Sequence, residues 1–528
     1  MKKWLLGTLL VLFLVGCKQS ETARTEPISI YETELFKEVQ LASVFGDSKT
    51  FVDLEPKKDI ALLEKEYLDS RNNPNFKLAD FVLDNFTDKS MEGLRFKLDT
   101  TQNMYAHISH MWEILERNPD SAVSNSSRIA LPYNYIVPGG RFQEIYYWDS
   151  YFTLEGLLVD NEEEIAQGVV DNFAFLIDSL GFIPNGTRDY YNTRSQPPYF
   201  ALMVDALAQG NDTLLIKYLP QMQAEYDYWM DGVQKAKTLN PVKCVVNLDD
   251  GNTLNRYWDS GNTPRPESYK EDFLLAQDLE SDSLKQQLYK DLRSTAASGW
   301  DFSSRWYGEE GGLASTETTS ILPVDLNSLL YFMEKTLSKA YTVQGDTQQQ
   351  NQYAELAETR KKLIQDYFWN ETTGFYHDYN FVKGSMTPHL TMAGVTPLFF
   401  EIPTSDQAQK IKDVLMHTFL KEGGLVTTLN QSGQQWDAPN GWAPMHWLAV
   451  NGLLNYGYVE EAKEIITRWL SLNEKVYADT GKMMEKYNVE DLSLLSGGGE
   501  YPTQDGFGWT NGVAVALKKI MEDLERPN

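Results

Sequence analysis

Hydrophobic residues recur along most of the chain with the spacing of one face of an α-helix. One face consists of residues three or four positions apart: Leu326, Leu330, Met333, Leu337 and Tyr341. A polar turn follows, and similar faces then occupy residues 353–368, 405–420, 447–456 and 459–470. This period predicts amphipathic helices arranged in pairs. Asp325 is the predicted N-cap of the first of these helices, and Gly457 the predicted end of the helix over 447–456.

Extended segments are few and short. Residues 374–379 alternate between polar and aromatic side chains, which indicates a small hairpin between helices. No Pro- or Ser-rich linker interrupts residues 31–528, so we predict one domain over that range. Helix pairs in series with polar loops are typical of an all-α toroid or solenoid, in which distant loops can meet at one mouth.

The amino terminus has the pattern of an export signal. Two lysines precede a short apolar run, and LVGC at residues 14–17 resembles a bacterial lipobox. We therefore predict a signal peptide over 1–16, lipidation of Cys17 and a polar tether over 17–30. A plain signal peptide with an incidental cysteine is the alternative. The expected location is the periplasm or, through the lipid, the outer membrane of a bacterium.

Charge and missing motifs exclude several classes of function. A net charge of −28 opposes binding to nucleic acid and favours a neutral substrate. The sequence has no Walker loop, no dinucleotide-binding glycine pattern, no G-x-S-x-G and no H-E-x-x-H. Its six histidines are not spaced with the cysteines as metal ligands would be, so no metal site is predicted.

Two segments nearly three hundred residues apart combine tryptophan, glycine, proline and carboxylates. Residues 138–151 read PGGRFQEIYYWDSY, and residues 435–444 read QWDAPNGWAP. A hydrophobic core does not need this mixture, because a buried carboxylate is costly unless it is paired. Indole rings can stack on the apolar faces of a sugar while charged groups bind its hydroxyls. Similar mixtures surround Asn185, Arg265, Asp301 and Glu500, which together indicate a carbohydrate site.

These segments resemble one family of glycosidases. Residues 138–151 and 435–444 match the two signatures of the α,α-trehalases of glycoside hydrolase family 37, and the regions around Asp301, Glu500 and residues 47–53 are similar to that family as well. The resemblance implies an (α/α)6 barrel. It also implies hydrolysis of trehalose to two glucose molecules with inversion, without a metal or organic cofactor. We expect the protein to be a monomer.

The resemblance assigns the two groups that transfer protons. Inversion needs one carboxylic acid to protonate the bridging oxygen and one carboxylate to activate water on the opposite face of the sugar. The family pattern places the acid at Asp301 and the base at Glu485. From local sequence alone, Asp301 is better explained as a helix cap and Glu485 as a solvated charge, and Glu500 competes with Glu485 for the role of base.

The resemblance also implies a set of substrate-binding residues. These are Arg141, Trp148, Asp149, Asn185, Arg194, Ser195, Gln196, Arg265, Pro266, Glu267, Gly299 and Glu500. Trp436, Asp437, Trp442 and Trp509 either line the mouth of the site or pack its loops. Two other functions stay open at this point: another inverting glucosidase on the same barrel, or a glycan-binding surface lipoprotein without activity.

Overall fold

The computed structural model describes residues 28–88, 102–248 and 251–526. The predicted signal peptide and Cys17, and all of the predicted tether except residues 28–30, lie outside these ranges. Within them helices are the main regular structure. The helices are α1 (Glu34–Leu41), α2 (Ser48–Asp53), α3 (Ile60–Ser70), α4 (Leu78–Asn85), α5 (Met104–Leu115), α6 (Tyr147–Val159), α7 (Glu163–Leu180), α8 (Phe200–Ala208), α9 (Asp212–Trp229), α10 (Tyr269–Ala276), α11 (Asp282–Ala297), α12 (Val324–Gln344), α13 (Thr347–Phe368), α14 (Thr396–Phe399), α15 (Ser405–Val414), α16 (Ala443–Asn455), α17 (Val459–Thr480) and α18 (Gly508–Glu525).

The strands have two or three residues each and pair antiparallel within the loops. They are β1 (Glu55–Pro56), β2 (Phe86–Thr87), β3 (Glu116–Arg117), β4 (Tyr135–Ile136), β5 (Val245–Asn247), β6 (Thr253–Asn255), β7 (Ile321–Leu322), β8 (Trp369–Asn370), β9 (Phe375–Tyr376), β10 (Tyr379–Asn380), β11 (Ser385–Met386), β12 (Leu420–Lys421), β13 (Gly424–Leu425), β14 (Asn440–Gly441) and β15 (Tyr487–Asn488). The pair β8–β9 confirms the hairpin predicted around residues 374–379.

Six helices form a closed inner ring. Helices α6, α8, α12, α14, α16 and α18 each pack against the next, and α18 closes the ring by packing along α6. Helices α5, α7, α9, α13, α15 and α17 alternate with them along the chain and form the outer layer. This arrangement is the (α/α)6 toroidal barrel, which confirms the predicted all-α fold class.

Burial explains which helices lie inside. The first eight residues of α6 are all buried, and so are the first eight of α16, as expected of helices that are enclosed on every side. The outer helix α17 keeps a polar face. Closure of the ring depends on small residues, because a Cβ atom added to Gly156 of α6 would lie 2.3 Å from the Cα of Gly512 in α18.

The predicted helices are present, but one predicted cap is wrong. Helix α12 contains the face that begins at Leu326, and Gly457 has a φ of +79° just beyond α16. Asp325 does not cap α12, since the helix begins one residue earlier, at Val324. The Asp325 carboxylate instead accepts two hydrogen bonds from Arg305, at 2.8 and 2.9 Å.

The amino-terminal insertion, α1–α4, packs against the segment that precedes α10. Helices α1–α4 pack on a second hydrophobic cluster that includes Phe36 and Phe51, and α2 contacts the short 3-10 helix Pro266–Ser268 before α10. Lys49 of α2 is 3% exposed and bonds Glu144 at 2.6 Å and Asp53 at 2.5 Å. In the described part of the chain, no helix has the length and apolar character needed to cross a membrane.

Candidate active site

A cavity lies where four inner helices begin. The segments that lead into α6, α8, α16 and α18 all reach it, so residues hundreds of positions apart share one wall. The site residues predicted from sequence that line it are Arg141, Trp148, Asp149, Asn185, Arg194, Gln196, Arg265, Glu267, Gly299, Asp301, Glu485 and Glu500. Because the amino end of a helix carries a partial positive charge, this end of the barrel favours carboxylates and sugar oxygens.

Ser195 and Pro266 do not line the cavity. Both are buried, and their neighbours in the chain line it. The Ser195 hydroxyl donates to the carbonyl of Gln196 at 3.3 Å, and the Pro266 carbonyl accepts from the Gln40 amide at 3.0 Å. Gln196 lines the cavity and Gln40 does not, and the assignment of Ser195 and Pro266 to substrate binding stays a prediction.

The arginines on the wall are fixed by carboxylates. Arg194 donates to Glu267 at 2.8 Å, and Arg265 pairs with both oxygens of Asp272 at 2.7 and 3.0 Å. Arg265 also donates to Glu500 at 2.9 Å. Although burial opposes the charged form, Arg194 and Arg265 hold the pKa of Glu267 below its usual value. Paired donors of this kind are already oriented for sugar hydroxyls before a ligand enters.

Arg141 occupies a more open part of the wall. It lies 3.6 Å from Asp47, a residue of the amino-terminal insertion, and its guanidinium stacks over the ring of Tyr501 at 4.9 Å. Its backbone N–H donates to the side chain of Gln504 at 2.8 Å. Gly140 has a φ of +59°, and a Cβ there would lie 2.5 Å from that same Gln504 oxygen. The glycine therefore permits the close approach that places Arg141.

Asp301 lies in the loop between α11 and the 3-10 helix Ser304–Trp306. Its side chain is partly exposed to the cavity. Burial raises the pKa of Asp301 to about 7, with Glu500 adding to the rise and Arg265 opposing it. Gly299 has a φ of +75°, and a Cβ there would lie 2.7 Å from Trp148, so glycine lets this loop reach the cavity.

Asp301 is not a helix cap in this fold. Ser303 caps the 3-10 helix, with its side chain accepting from the N–H of Arg305. The Asp437 carboxylate stabilises the same turn, because it accepts hydrogen bonds from the Ser303 hydroxyl and from the backbone N–H of Ser304, each at 2.8 Å. Asp437 therefore packs the loop rather than lining the cavity. The carboxyl of Asp301 is left free of any capping role.

The local sequence of Glu485 suggests a solvated charge, but the residue is buried close to β15. It is 2% exposed, and it accepts hydrogen bonds from the Tyr501 hydroxyl and from the Lys486 ammonium, both at 2.9 Å. The indole N–H of Trp509 donates to its backbone carbonyl at 2.9 Å. These contacts hold the Glu485 side chain in a defined orientation at the cavity wall.

A third carboxyl, Asp149, lines the same cavity as Asp301 and Glu485. It is in the first turn of α6 and is buried. Burial raises the pKa of Asp149 well above its usual range, and the charges of Glu485 and Asp301 raise it further. A carboxyl that retains its proton can donate a hydrogen bond, which is useful opposite a sugar hydroxyl.

Tryptophans complete the wall. Trp436 and Trp442 stack with ring centres 4.0 Å apart and planes 2° apart, and Trp300 stacks on the far face of Trp436 at 5.1 Å. Trp509 meets both signature tryptophans edge-on. Trp436, Trp442 and Trp509 all border the cavity. They serve both of the roles that the sequence left open, since they line the mouth and pack its loops.

Sequence reasoning did not select several residues of this site. Lys486 and Tyr501 contact Glu485, Gln435 contacts Lys486, and Asp47 and Lys49 reach the cavity from the amino-terminal insertion. Their positions in the sequence could have indicated them, because each of these residues lies within, or next to, a segment that resembles the family. Within the described ranges, no group of His, Cys, Asp and Glu side chains has the arrangement of a metal site.

Comparison with known proteins identifies the family. The family model for trehalase matches residues 43–522. A periplasmic trehalase of Citrobacter koseri is 45% identical over 503 residues, which span 95% of this chain and 88% of that protein. A periplasmic trehalase of Escherichia coli is 46% identical over 515 residues, spanning 97% and 91%.

Solved structures agree on the fold. The neutral trehalase Nth1 of Saccharomyces cerevisiae superimposes with a TM-score of 0.62 at 26% identity, covering 81% of each chain. A GH63 mannosylglycerate hydrolase of Thermus thermophilus superimposes with a TM-score of 0.53 at 16% identity, covering 79% of this chain and all of that one. On the extent of the family match and the identity to its relatives, this chain belongs to the trehalase family.

Proposed function

We propose that this protein is an inverting α,α-trehalase in which Asp301 is the general acid and Glu485 the general base. Family membership supports the reaction. The pairing of environments supports the two roles: Asp301 has a pKa of about 7 and can hold a proton near neutrality, whereas Glu485 is held by an ammonium and a hydroxyl. Such divergent environments for two carboxyls are typical of an acid and base pair.

The surroundings of the two glutamates favour Glu485 over Glu500 as the base. Glu500 is bound to Arg265 and accepts from Ser268 at 3.2 Å, and both Arg265 and Glu500 influence the pKa of Asp301. Glu500 therefore belongs to the surroundings of the acid. The base must act on water at the opposite face of the sugar. Glu485 is held by a different set of groups, Tyr501 and Lys486, and we assign it that role.

In the proposed reaction, Asp301 donates its proton to the bridging oxygen as the glycosidic bond breaks. Glu485 removes a proton from the water that attacks the anomeric carbon from the other side. One glucose leaves with its α configuration, and the other is released as the β anomer. Arg194, Arg265 and Gln196 hold the hydroxyls, Asp149 hydrogen-bonds another of them, and the tryptophans form the apolar wall beside the sugar.

Two variants test the assignment. Asp301→Asn and Glu485→Gln each remove one proton-transfer group at nearly constant shape, and each should lower kcat by roughly 100-fold to 10,000-fold. Trehalose binding, measured by calorimetry, should persist. Glu225→Gln is the matched control, because burial raises the pKa of Glu225 to about 8 and the amide copies its neutral form. Turnover close to wild type in either site variant would refute its assigned role.

Substrate choice separates the proposal from the other functions. Glucose release should be fast from trehalose and weak from maltose, kojibiose and sucrose. Hydrolysis of one of the latter without hydrolysis of trehalose would indicate another inverting glucosidase. Sugar binding without any hydrolysis would indicate a binding lipoprotein. Either result would contradict the proposal.

We also propose export to the periplasm as a monomer anchored by lipid at Cys17. The amino-terminal pattern and the periplasmic relatives support this location. Radioactive palmitate should label the wild-type protein in bacteria but not Cys17→Ser, and light scattering of a protein that starts at residue 28 should give one chain's mass. Labelling that persists in Cys17→Ser would exclude the anchor.

A further inference from the structure

The acid loop and the base are joined by two side chains outside the catalytic pair. The side-chain amide of Gln435 donates to the backbone carbonyl of Asp301 at 2.5 Å. The ammonium of Lys486 donates to the side-chain oxygen of Gln435 and to the carboxylate of Glu485, both at 2.9 Å. We call this chain of hydrogen bonds the Gln435–Lys486 bridge.

We propose that the Gln435–Lys486 bridge is a positioning device that fixes the separation of acid and base in this trehalase. The inference rests on the roles proposed above for Asp301 and Glu485. Inverting hydrolysis requires roughly 6.5–9.5 Å between the two carboxyl groups, so that a water molecule fits between base and sugar. A device that spans both loops controls this distance directly.

The bridge is itself firmly placed. Gln435 is 2% exposed and Lys486 is fully buried. The backbone carbonyl of Gln435 accepts from the Asn440 amide at 3.0 Å and from the Trp442 indole at 3.1 Å. The Lys486 ammonium lies 5.1 Å from the centre of the Trp442 ring, which favours a cation in this enclosed position. Neither side chain has room to take another rotamer freely.

Backbone pairing supports the bridge on both sides. The N–H of Trp436 donates to the carbonyl of Phe302 at 3.1 Å, so the residues after Gln435 and Asp301 are also joined. On the other side, β14 pairs with β15, with Gly441 opposite Tyr487. The second signature segment therefore lies between the loop of the acid and the strand of the base and is hydrogen-bonded to both.

The chemistry of the two side chains fits a spacer. Only one orientation of the Gln435 amide satisfies both neighbours, with its oxygen toward the ammonium and its nitrogen toward the carbonyl. A glutamate in its place could accept from Lys486 but could not donate to Asp301. This explains why a glutamine suits the position: its amide nitrogen donates to the Asp301 carbonyl and to the Tyr501 hydroxyl at 3.3 Å, and its amide oxygen accepts from Lys486.

The charge on Lys486 gives the bridge a measurable signature. Glu485 is faced by the Lys486 ammonium, by the Tyr501 hydroxyl, by the backbone N–H of Gln504 at 3.4 Å, and electrostatically by the carboxyl of Asp149. Lys486 is the cation in direct contact with Glu485. Its removal should disfavour the ionised base and move the acid limb of the pH profile of kcat/KM upward.

The test uses Gln435→Glu and Lys486→Gln, which change donors or charge at nearly constant size. Gln435→Glu should lower kcat by about 100-fold, the usual cost of a misplacement of about 1 Å, with a much smaller change in KM. Lys486→Gln should shift the acid limb to higher pH. The control is Arg360→Met, which breaks a buried pair with Glu334 on α12 and should lower thermal stability without moving the pH limbs.

The outcomes separate this proposal from the one on which it rests. If Asp301→Asn and Glu485→Gln lose turnover while folded Gln435→Glu and Lys486→Gln keep wild-type kcat and pH limbs, the bridge is refuted alone. If Asp301→Asn or Glu485→Gln keeps normal turnover, the proposed function fails and the bridge fails with it. One folded bridge variant is sufficient for the measurement. If circular dichroism shows neither to be folded, the pair is structural and the positioning role is wrong.

Discussion

The charge of Glu500 should control the pH range in which Asp301 is protonated. Glu500 raises the pKa of Asp301 and is held by Arg265 and Ser268. Glu500→Gln removes that charge, while the amide can still accept from Arg265 and can donate to Ser268. The pKa of Asp301 should therefore fall. Since the acid must be protonated to act, the basic limb of the pH profile should move to lower pH.

The size of the effect follows from the pKa of about 7 for Asp301. Two unit charges about 10 Å apart interact by about 1.7 kcal/mol at an effective dielectric constant of about 20, which is roughly one pH unit. At pH 8, the fraction of protonated Asp301 then falls from about 9% to about 1%. The ratio of kcat/KM at pH 8 to kcat/KM at pH 5 should therefore be about tenfold lower in Glu500→Gln than in the wild type.

The assay is the initial rate of glucose release from trehalose at low substrate concentration, between pH 5 and pH 9. Glu309→Gln is the control, since its exposed side chain is 90% accessible and its charge is screened by solvent. That variant should keep the wild-type limb. A basic limb that stays in place in Glu500→Gln, or that moves to higher pH, would refute the electrostatic account of Asp301.

Three further changes test the fold and the site. Asp301→Asn should raise the melting temperature more at pH 8 than at pH 5. The reason is that Asp301, with a pKa of about 7 in the folded state, destabilises the fold increasingly as the pH rises from the pKa of the unfolded chain toward 7. An equal increase in melting temperature at both pH values would contradict this. Gly512→Ala should cost about 1–3 kcal/mol or more in a urea titration, because its Cβ would lie 2.2 Å from the Phe152 carbonyl; unchanged stability would show that the ring closes otherwise. Lys49→Met should cost about 3–5 kcal/mol by leaving Glu144 without its ammonium, whereas exposed Lys65→Met should cost almost nothing.

Local patterns in the sequence predict the helices but not the way in which the ring closes. The face at Leu326 defines α12 because burial imposes a period of 3.6 residues. The contact between Gly156 and Gly512 joins positions more than 350 residues apart, and no local pattern encodes it. Asp325 is predicted to be a helix cap because the local pattern does not show its partner Arg305, which lies in a separate loop. Partners distant in sequence override the local preference in each case.

The candidate site shows the same limit. Its aromatic and glycine-rich segments can be recognised because a core would not use them. Glu485 cannot be recognised in this way, because its local sequence gives no sign that Tyr501 and Lys486 will contact its carboxylate. Its selection depended on resemblance to the family. The raised pKa of Asp301 also depends on groups from other loops, Arg265 and Glu500, which only the folded chain brings near.

The anomeric form of the first products tests the central claim most directly. Proton NMR of a reaction with α,α-trehalose, read before the sugars interconvert, reports which anomers are released. If Asp301 and Glu485 act on opposite faces of the sugar, α- and β-glucose should appear in a ratio of about 1:1. Release of α-glucose alone would indicate retention of configuration and would contradict the assignment of an acid and a water-activating base.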